Sequence, residues 1–273
     1  RRLGLRLAEA EPEVARRLEW LISLAWLDVA QVAPYRVIQR FGPAVRLRPD
    51  DRHAAIALGL ALIRDRRDEE GLALLRQAVA TAPDAPDALA ALLTGLWESQ
   101  QTQGLVEAVK RIPPDWTALT AFAEHLGRAA LVRRDWPAAV AALRRAWEAE
   151  PHRLDLAYSL ARAVRLDGQE GEAARLTARV AVLRRHRDEL LEMYRKLLGH
   201  ADPDLPDIRN DHQFAGGATA AAQALIALHD PAPLRRFAEL CEDLGFPDQA
   251  RAWRRALREL YPGTPAESSG APS

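Results

Sequence analysis

Cysteine and lysine are almost absent from this chain of 273 residues. It contains one cysteine, Cys241, and two lysines, Lys110 and Lys196, so arginine supplies nearly all of the positive charge. A single cysteine excludes an internal disulfide framework. It is compatible with a reducing compartment, which favours the cytoplasm as the location. The preference for arginine is typical of a GC-rich, bacterial genome.

The chain also lacks an excess of charge and a long apolar run. Its 38 basic and 38 acidic side chains cancel. Because phosphate binding depends on clustered positive charge, this balance argues against a nucleic-acid partner. No stretch of about 18 residues is apolar and free of charge, so no membrane span is predicted. The chain begins with Arg1, so its start looks cut or processed, and a signal peptide would be lost from view.

The short motifs that carry common chemistry are missing as well. There is no P-loop, GxGxxG, HExxH, GxSxG or paired CxxC motif. The sequence therefore predicts neither a cofactor nor an enzyme. We expect Cys241 to be a buried, inert thiol at a packing position.

The nearest approach to a metal site is the segment 199–217, which is rich in Pro and Asp. Carboxylates and imidazoles within one loop are able to ligate a divalent ion. Their spacing matches no site of known type, and a solvated loop is the favoured interpretation. The side chains are His200, Asp202, Asp204, Asp207, Asp211 and His212.

What the sequence does have is an internal period of about 34 residues. Leucine recurs once per period, and prolines that end helical runs are separated by one period and then by two. The leucines are Leu24, Leu58, Leu92, Leu126 and Leu160, and the prolines are Pro49, Pro83 and Pro151. Within each unit, apolar and small residues spaced by three and four predict two amphipathic helices. The five units are 18–51, 52–85, 86–119, 120–153 and 154–187.

Small residues and proline at fixed positions of such a unit resemble the tetratricopeptide repeat (TPR), a 34-residue helix–turn–helix. The second and fourth units match most fully, with Ala55, Leu58, Gly59, Leu62, Gly71, Leu75, Ala78 and Pro83, and with Ala123, Leu126, Gly127, Ala130, Ala139, Leu143, Ala146 and Pro151. The resemblance implies an all-α fold, a right-handed α-solenoid of stacked antiparallel helix hairpins. We expect Gly127 to face Ala139, so that the two helices of that hairpin approach closely.

Other parts of the chain depart from the repeat. The third unit is expected to be distorted, because Ile112-Pro113-Pro114 cuts its second helix short. Residues 1–17 are predicted to be the end of a preceding repeat or a capping helix. Residues 188–230 are predicted to be an irregular helix–loop–helix insertion, 231–262 a terminal TPR-like hairpin, and 263–273 a disordered tail or linker.

In TPR proteins the first helices of the repeats line a concave groove, and the resemblance implies which side chains face it here. They are, unit by unit, Ile22, Ser23, Trp26 and Val29; Ile56, Ala57, Leu60 and Ile63; Ala90, Ala91, Thr94 and Trp97; Glu124, His125 and Arg128; and Tyr158, Ser159, Arg162 and Arg165. This groove is expected to be apolar at its N-terminal end and cationic at its C-terminal end.

Two interpretations of the cationic end are open. In the first, Arg128, Arg162 and Arg165 bind an acidic or C-terminal peptide, because forked guanidinium groups bind carboxylates bidentately. In the second, these arginines are solvated or paired with Glu124 and Asp155.

The apolar end has two interpretations of its own. Trp26, Leu60 and Trp97 either grip apolar anchors of the same peptide or are covered by a missing preceding repeat. The lysine and asparagine of the TPR carboxylate clamp are not found at the matching positions, which argues against a chaperone-tail clamp.

The function predicted from this resemblance is a noncatalytic scaffold that binds a protein or peptide. The alternative is a regulatory or substrate-presenting module of a larger multidomain enzyme, with its catalytic domain outside this chain.

Overall fold

Helices make up the protein throughout the part of the chain that the structure describes. The computed structural model describes residues 8, 10–29, 34–151, 153–201, 222–223 and 225–262, although not the side chains of every helical position among them. Twelve helices of eight or more residues lie in these ranges: α1 (Val14–Val29), α2 (Pro34–Leu47), α3 (Arg52–Arg64), α4 (Asp68–Thr81), α5 (Pro86–Glu98), α6 (Thr102–Val109), α7 (Thr120–Arg133), α8 (Trp136–Ala149), α9 (Leu154–Leu166), α10 (Glu170–Ala201), α11 (Ala232–Asp243) and α12 (Pro247–Leu260). No strand occurs among these residues.

The helices divide between two compact units. The repeat unit comprises residues 32–180, and the terminal unit comprises residues 1–31 together with 181–273. In the repeat unit, α3 packs against α4 and α7 against α8. The second helix of each pair also packs against the first helix of the next hairpin, α4 against α5 and α8 against α9. The predicted all-α fold of hairpins stacked in chain order is confirmed.

The backbone of the repeat unit shows the period of the sequence directly. The turn between the two helices of a hairpin contains one residue with positive φ, and this residue recurs at Arg66 (φ 67°), Gln100 (61°), Arg134 (61°) and Gly168 (80°). Successive positions in this series are separated by one repeat period. A left-handed residue ends a helix tightly and reverses the chain, so each turn returns the second helix along the first.

Small residues set the distance between the helices of a hairpin. A Cβ added to Gly71 would lie 2.5 Å from the carbonyl oxygen of Gly59, so α3 and α4 nearly touch through their backbones. In the fourth unit, a Cβ on Gly127 would lie 2.6 Å from Cγ of Leu143. The expected close approach is therefore present, but the side chain nearest to Gly127 is Leu143 and not Ala139.

Among the described residues, buried side chains of the repeat unit form separate apolar clusters. One cluster runs from α3 to α7 and includes Ile63, Leu75, Leu93 and Phe122. Arg64 and Glu98, at equivalent positions of successive repeats, add a two-point ion pair with N–O distances of 3.0 and 3.1 Å. Equivalent positions thus meet across a repeat boundary, which is how a repeat stack builds one core from many small faces.

The third unit departs from the others where the sequence predicts it. Its second helix, α6, has 8 residues and ends at Val109. Pro113 then precedes a short 3-10 helix, Pro114–Trp116. Proline has no amide hydrogen and disfavours helix in the residue before it, so this helix cannot extend to the length of α4.

In the terminal unit, α1 packs against α12, the last helix of the described chain. Leu18, Leu21 and Ile22 are buried. Arg17 is 1% exposed and its guanidinium pairs with Glu259. Ile22 was expected to face the groove, and its burial removes it from that surface.

The terminal hairpin of α11 and α12 has its own aromatic core. Phe237 and Trp253 stack with ring centroids 4.7 Å apart, and Cys241 is buried as expected.

The long α10 continues through residues 188–198, as the sequence predicts. The described helices include none that is both long and apolar enough to cross a bilayer.

We predict that Gly127→Ala destabilises the repeat unit. The new methyl group would overlap Leu143, whose backbone nitrogen is 3.1 Å away, and overpacking of this kind costs about 1–3 kcal/mol. The midpoint of urea unfolding, followed by circular dichroism, measures the effect. Gly171→Ala is the matched control, because no atom lies within 4 Å of its added Cβ. Equal midpoints for the two variants would contradict the role given to Gly127.

Candidate functional site

The predicted groove residues fall into three groups in the structure. Leu60, Thr94 and Trp97 are half-buried, and Leu60 and Trp97 pack against the core. Tyr158, Arg162 and Arg165 are exposed on α9. Between these groups, on α7, the residues Glu124, His125 and Arg128 are buried. Trp26 lies in α1, and its side chain is outside the described residues.

The buried charges of α7 belong to an ionic cluster of four residues: Glu124, Arg128, Arg153 and Asp155. Arg128 lies 2.5 Å from Glu124 and 3.1 Å from Asp155. Its guanidinium carbon also lies 4.7 Å from the centre of the Trp97 ring, which is a favourable cation–π distance. The cluster therefore ties α7 to α5 on one side and to the start of α9 on the other.

This arrangement corrects the role expected for Arg128. Its guanidinium already contacts two carboxylates and an aromatic ring, and its side chain is 6% exposed. It is therefore not presented to a peptide carboxylate, and the pairing with Glu124 and Asp155 is the interpretation that the structure supports. Arg162 and Arg165 remain exposed, and Arg165 donates to Oγ1 of Thr177 at 3.4 Å.

Arg153 belongs to the ionic cluster although the repeat pattern does not assign it to the groove. It donates to Glu124 through two nitrogens, at 2.7 and 3.0 Å, and through Nε to Asp155 at 3.1 Å. A further donor reaches Glu150 at 3.3 Å. Arg153 occupies the last position of the fourth unit, in the turn before α9. Because the repeat pattern assigns groove positions only to the first helices, it does not assign this residue to the groove. Its alignment with the opposing Glu124 depends on how the repeats stack.

Mutual pairing perturbs the acid–base properties of the ionic cluster. Burial acts against charge on Arg153, but its hydrogen bonds to Asp155 and Glu124 prevail and raise its pKa. Burial also acts against charge on Asp155, and the bonds from Arg153 prevail to lower the pKa of that carboxyl. Arg153 and Asp155 are therefore both charged near neutral pH.

His125 lies beside the ionic cluster without joining it. Burial, together with the positive charges of Arg128 and Arg153, lowers its pKa to about 3. The imidazole is therefore neutral near pH 7. Its Nδ1 is buried without a hydrogen-bond partner among the described residues, which is a costly arrangement for a polar atom.

A pocket of about 350 Å³ opens where α5, α7 and the α8–α9 turn meet. Five of its lining residues are at positions that the TPR resemblance assigns to the groove, and the other lining residues are at positions that the resemblance does not assign. The lining residues are Ala90, Ala91, Thr94, Thr120, Ala121, Glu124, His125, Ala146, Glu150, Arg153 and Leu156. The pocket is partly polar, and it has the size of a site for one side chain or a small ligand.

A second pocket, of about 640 Å³, lies between α2, α3 and α4. Apolar groups such as Ile38, Leu58 and Leu62 dominate its walls, and none of its described polar lining atoms is both buried and unpartnered. We therefore treat the smaller pocket, with its unpartnered histidine, as the candidate site.

Metal binding was expected, if anywhere, in the segment 199–217. Residues 202–217 and the side chain of His200 are outside the described residues, so that possibility stays a prediction. Within the described part of the chain, no group of three or more His, Cys, Asp or Glu side chains is placed to hold a metal ion.

We predict that His125 makes the protein less stable as the pH falls from about 6.5 to 5. Its pKa is about 3 when folded and about 6.5 when unfolded. The unfolded chain therefore takes up the proton first, and its population grows as acid is added. The stabilisation is complete above pH 6.5 and declines by up to about 1.4 kcal/mol per pH unit below it.

Urea unfolding at a series of pH values measures the slope of the free energy of unfolding against pH for the wild type and for His125→Gln. The substitution should flatten the slope in this window, which lies above the range where carboxylates titrate. His53→Gln, at a histidine whose side chain is 76% exposed, is the control variant. A slope unchanged by His125→Gln would contradict the assignment.

Comparison with known proteins gives one curated relative and a set of distant structural likenesses. No family model matches the chain. It is 33% identical over 134 residues to cellulose synthase operon protein C of Pseudomonas fluorescens (strain SBW25). The match covers 46% of this chain and 10% of that protein, so the chain spans about a tenth of the length of the relative it matches.

Two solved structures of IFIT1 resemble the chain at low sequence identity. One is a monomeric mutant with Gppp-AAAA, with a TM-score of 0.48, 13% identity, and coverage of 94% of this chain and 66% of the other. The second is the human IFIT1 dimer with PPP-AAAA, with a TM-score of 0.48, 15% identity, and coverage of 94% and 67%. Likeness at this level gives no information about what this chain binds. The helical packing and the recurring turns show a helical repeat.

Proposed function

We propose that the repeat unit is a noncatalytic scaffold that binds an extended segment of a partner protein along its first helices. The observation that carries this proposal is the row of half-buried and exposed groove side chains on α3, α5 and α9, interrupted at α7 by the candidate pocket. Leu60 and Trp97 present apolar surface beside that pocket. Arg162 and Arg165 present positive charge on α9, which suits acidic residues of the segment.

The physical basis of the proposal is a preformed surface. Side chains on stacked helices hold fixed positions, so a bound segment meets them without a large ordering cost on the scaffold side. The zero net charge of the chain supports a protein or peptide partner over a nucleic acid, because nucleic-acid affinity depends on clustered cations.

A second candidate is a regulatory or substrate-presenting module within a larger machinery. The observation that favours it is the 33% identity to part of a cellulose synthase operon protein. Binding of the chain to the purified products of that operon from the same Pseudomonas strain would support it. Absence of binding to each of them would contradict it.

We predict that peptides selected from a random phage-displayed library lose affinity when groove side chains are removed. The variant combines Leu60→Ala with Arg162→Ala, which removes one apolar contact and one exposed charge. Isothermal titration should show at least about tenfold weaker binding, since each contact is worth roughly 1 kcal/mol.

The matched control combines Arg76→Ala with Glu148→Ala, at exposed positions on the second helices α4 and α8. Its affinity should equal that of the wild type. Circular dichroism shows whether both variants are folded. Failure to select any peptide, or equal loss in both variants, would refute the groove. A labelled single-stranded RNA provides the nucleic-acid comparison and should not bind at physiological salt.

A further inference from the structure

The candidate pocket has no cationic donor left for a ligand. Arg153 has five N–H donors, and hydrogen bonds to Glu124, Asp155 and Glu150 account for all of them. The other nearby cation, Arg128, is 6% exposed and does not line the pocket. An acidic group entering this pocket would therefore meet no free positive charge among its described lining residues.

Hydrogen-bond acceptors, by contrast, remain open at the pocket wall. Glu150 is 47% exposed and uses only Oε2 in its contact with Arg153, at 3.3 Å. The Thr94 hydroxyl donates to the carbonyl oxygen of Ala90 at 3.0 Å, so its lone pairs are free to accept. The charges of the ionic cluster cancel, and Glu150 adds one negative charge beside them.

His125 provides an independent indication that this pocket receives a ligand. The side chain lines the pocket and is 4% exposed, and its Nδ1 has no partner among the described residues. A neutral imidazole has one nitrogen that accepts a hydrogen bond. Its neutral form therefore adds no repulsion to an incoming cation.

Apart from Thr120, the remaining wall is apolar. It is formed by the small side chains Ala90, Ala91, Ala121 and Ala146, together with Leu156. Such a surface suits an unbranched aliphatic stem whose charged end stays at the mouth. Lysine has this shape, with four methylene groups and a compact ammonium group that has three donors.

We propose that the pocket bounded by Thr94, Glu124, His125 and Glu150 receives a lysine side chain of the partner segment. The aliphatic stem packs on the alanines and Leu156, and the ammonium group donates to Glu150 and Thr94. This assignment rests on the proposed groove and gives the partner a lysine next to its apolar anchor. Acidic residues of the partner are placed farther along, at Arg162 and Arg165.

The test uses peptides selected from the phage library on the wild-type chain. In the tightest binder, each lysine is replaced in turn by norleucine, which keeps the stem without the ammonium group, and by glutamate. One norleucine replacement should weaken binding about three- to tenfold, and glutamate at the same position should weaken it further.

The protein variants locate the effect. In Glu150→Gln and in Thr94→Val, the loss caused by norleucine should shrink toward zero, because the acceptor for the ammonium group has changed. Glu148→Gln, at an exposed position on the same helix as Ala146, should keep the full loss. Circular dichroism verifies that each variant is folded.

The two proposals fail in different ways. If no peptide is selected, or if selected peptides bind equally to the Leu60→Ala/Arg162→Ala variant, the groove is wrong and the lysine pocket with it. If peptides depend on the groove but tolerate norleucine at every lysine, or if their loss is unchanged in Glu150→Gln and Thr94→Val, the groove stands and the lysine assignment is wrong. An acidic consensus at the pocket position also overturns the assignment.

Discussion

The close approach of two helices within a hairpin is the constraint on which the repeat unit depends. Gly59 and Gly71 bring α3 and α4 together so closely that a Cβ on Gly71 would collide with a carbonyl oxygen. Large side chains such as Leu75 then fill the sides and contact the next repeat. A single hairpin of two closely packed helices cannot bury its own outer apolar faces, so neighbouring hairpins must cover them. The stack, and with it the row of first helices, follows from this spacing.

The ionic cluster is the second feature that shapes the site. Charges that are buried need partners, because desolvation is expensive. Glu124, Arg128, Arg153 and Asp155 pair with one another and so join α7 to α9, and the contact of Arg128 with the Trp97 ring extends this connection to α5. The same pairing leaves Arg128 buried and occupies the hydrogen-bond donors of Arg153 at the pocket wall. The end of the groove that is expected to be cationic is therefore neutral to acidic at the pocket, and among its described residues Arg162 and Arg165 on α9 present exposed positive charge.

Much of the fold could be predicted from local patterns. The repeat period, the glycines at positions such as 127, and the prolines after Ile112 each act on nearby backbone, so their effects follow from spacing alone. The partner of Gly127 was less predictable. Leu143 and Ala139 lie one turn apart on the same face of α8, and the rotation of the helix decides which of them is closest. The packing of α1 against α12 joins opposite ends of the sequence, and no repeat pattern predicts it.

The candidate site likewise depends partly on local sequence patterns and partly on tertiary packing. By itself, the sequence determined the helical repeat, the turn positions and most of the residues on the first helices, because helical periodicity assigns side chains to faces. Only the tertiary structure decided which of those residues are available. Arg153 comes from a turn and meets Glu124 across the stack, and that contact consumes the donors that a carboxylate would need. Charge is a property of each residue, but its exposure and pairing depend on neighbours that are distant in sequence.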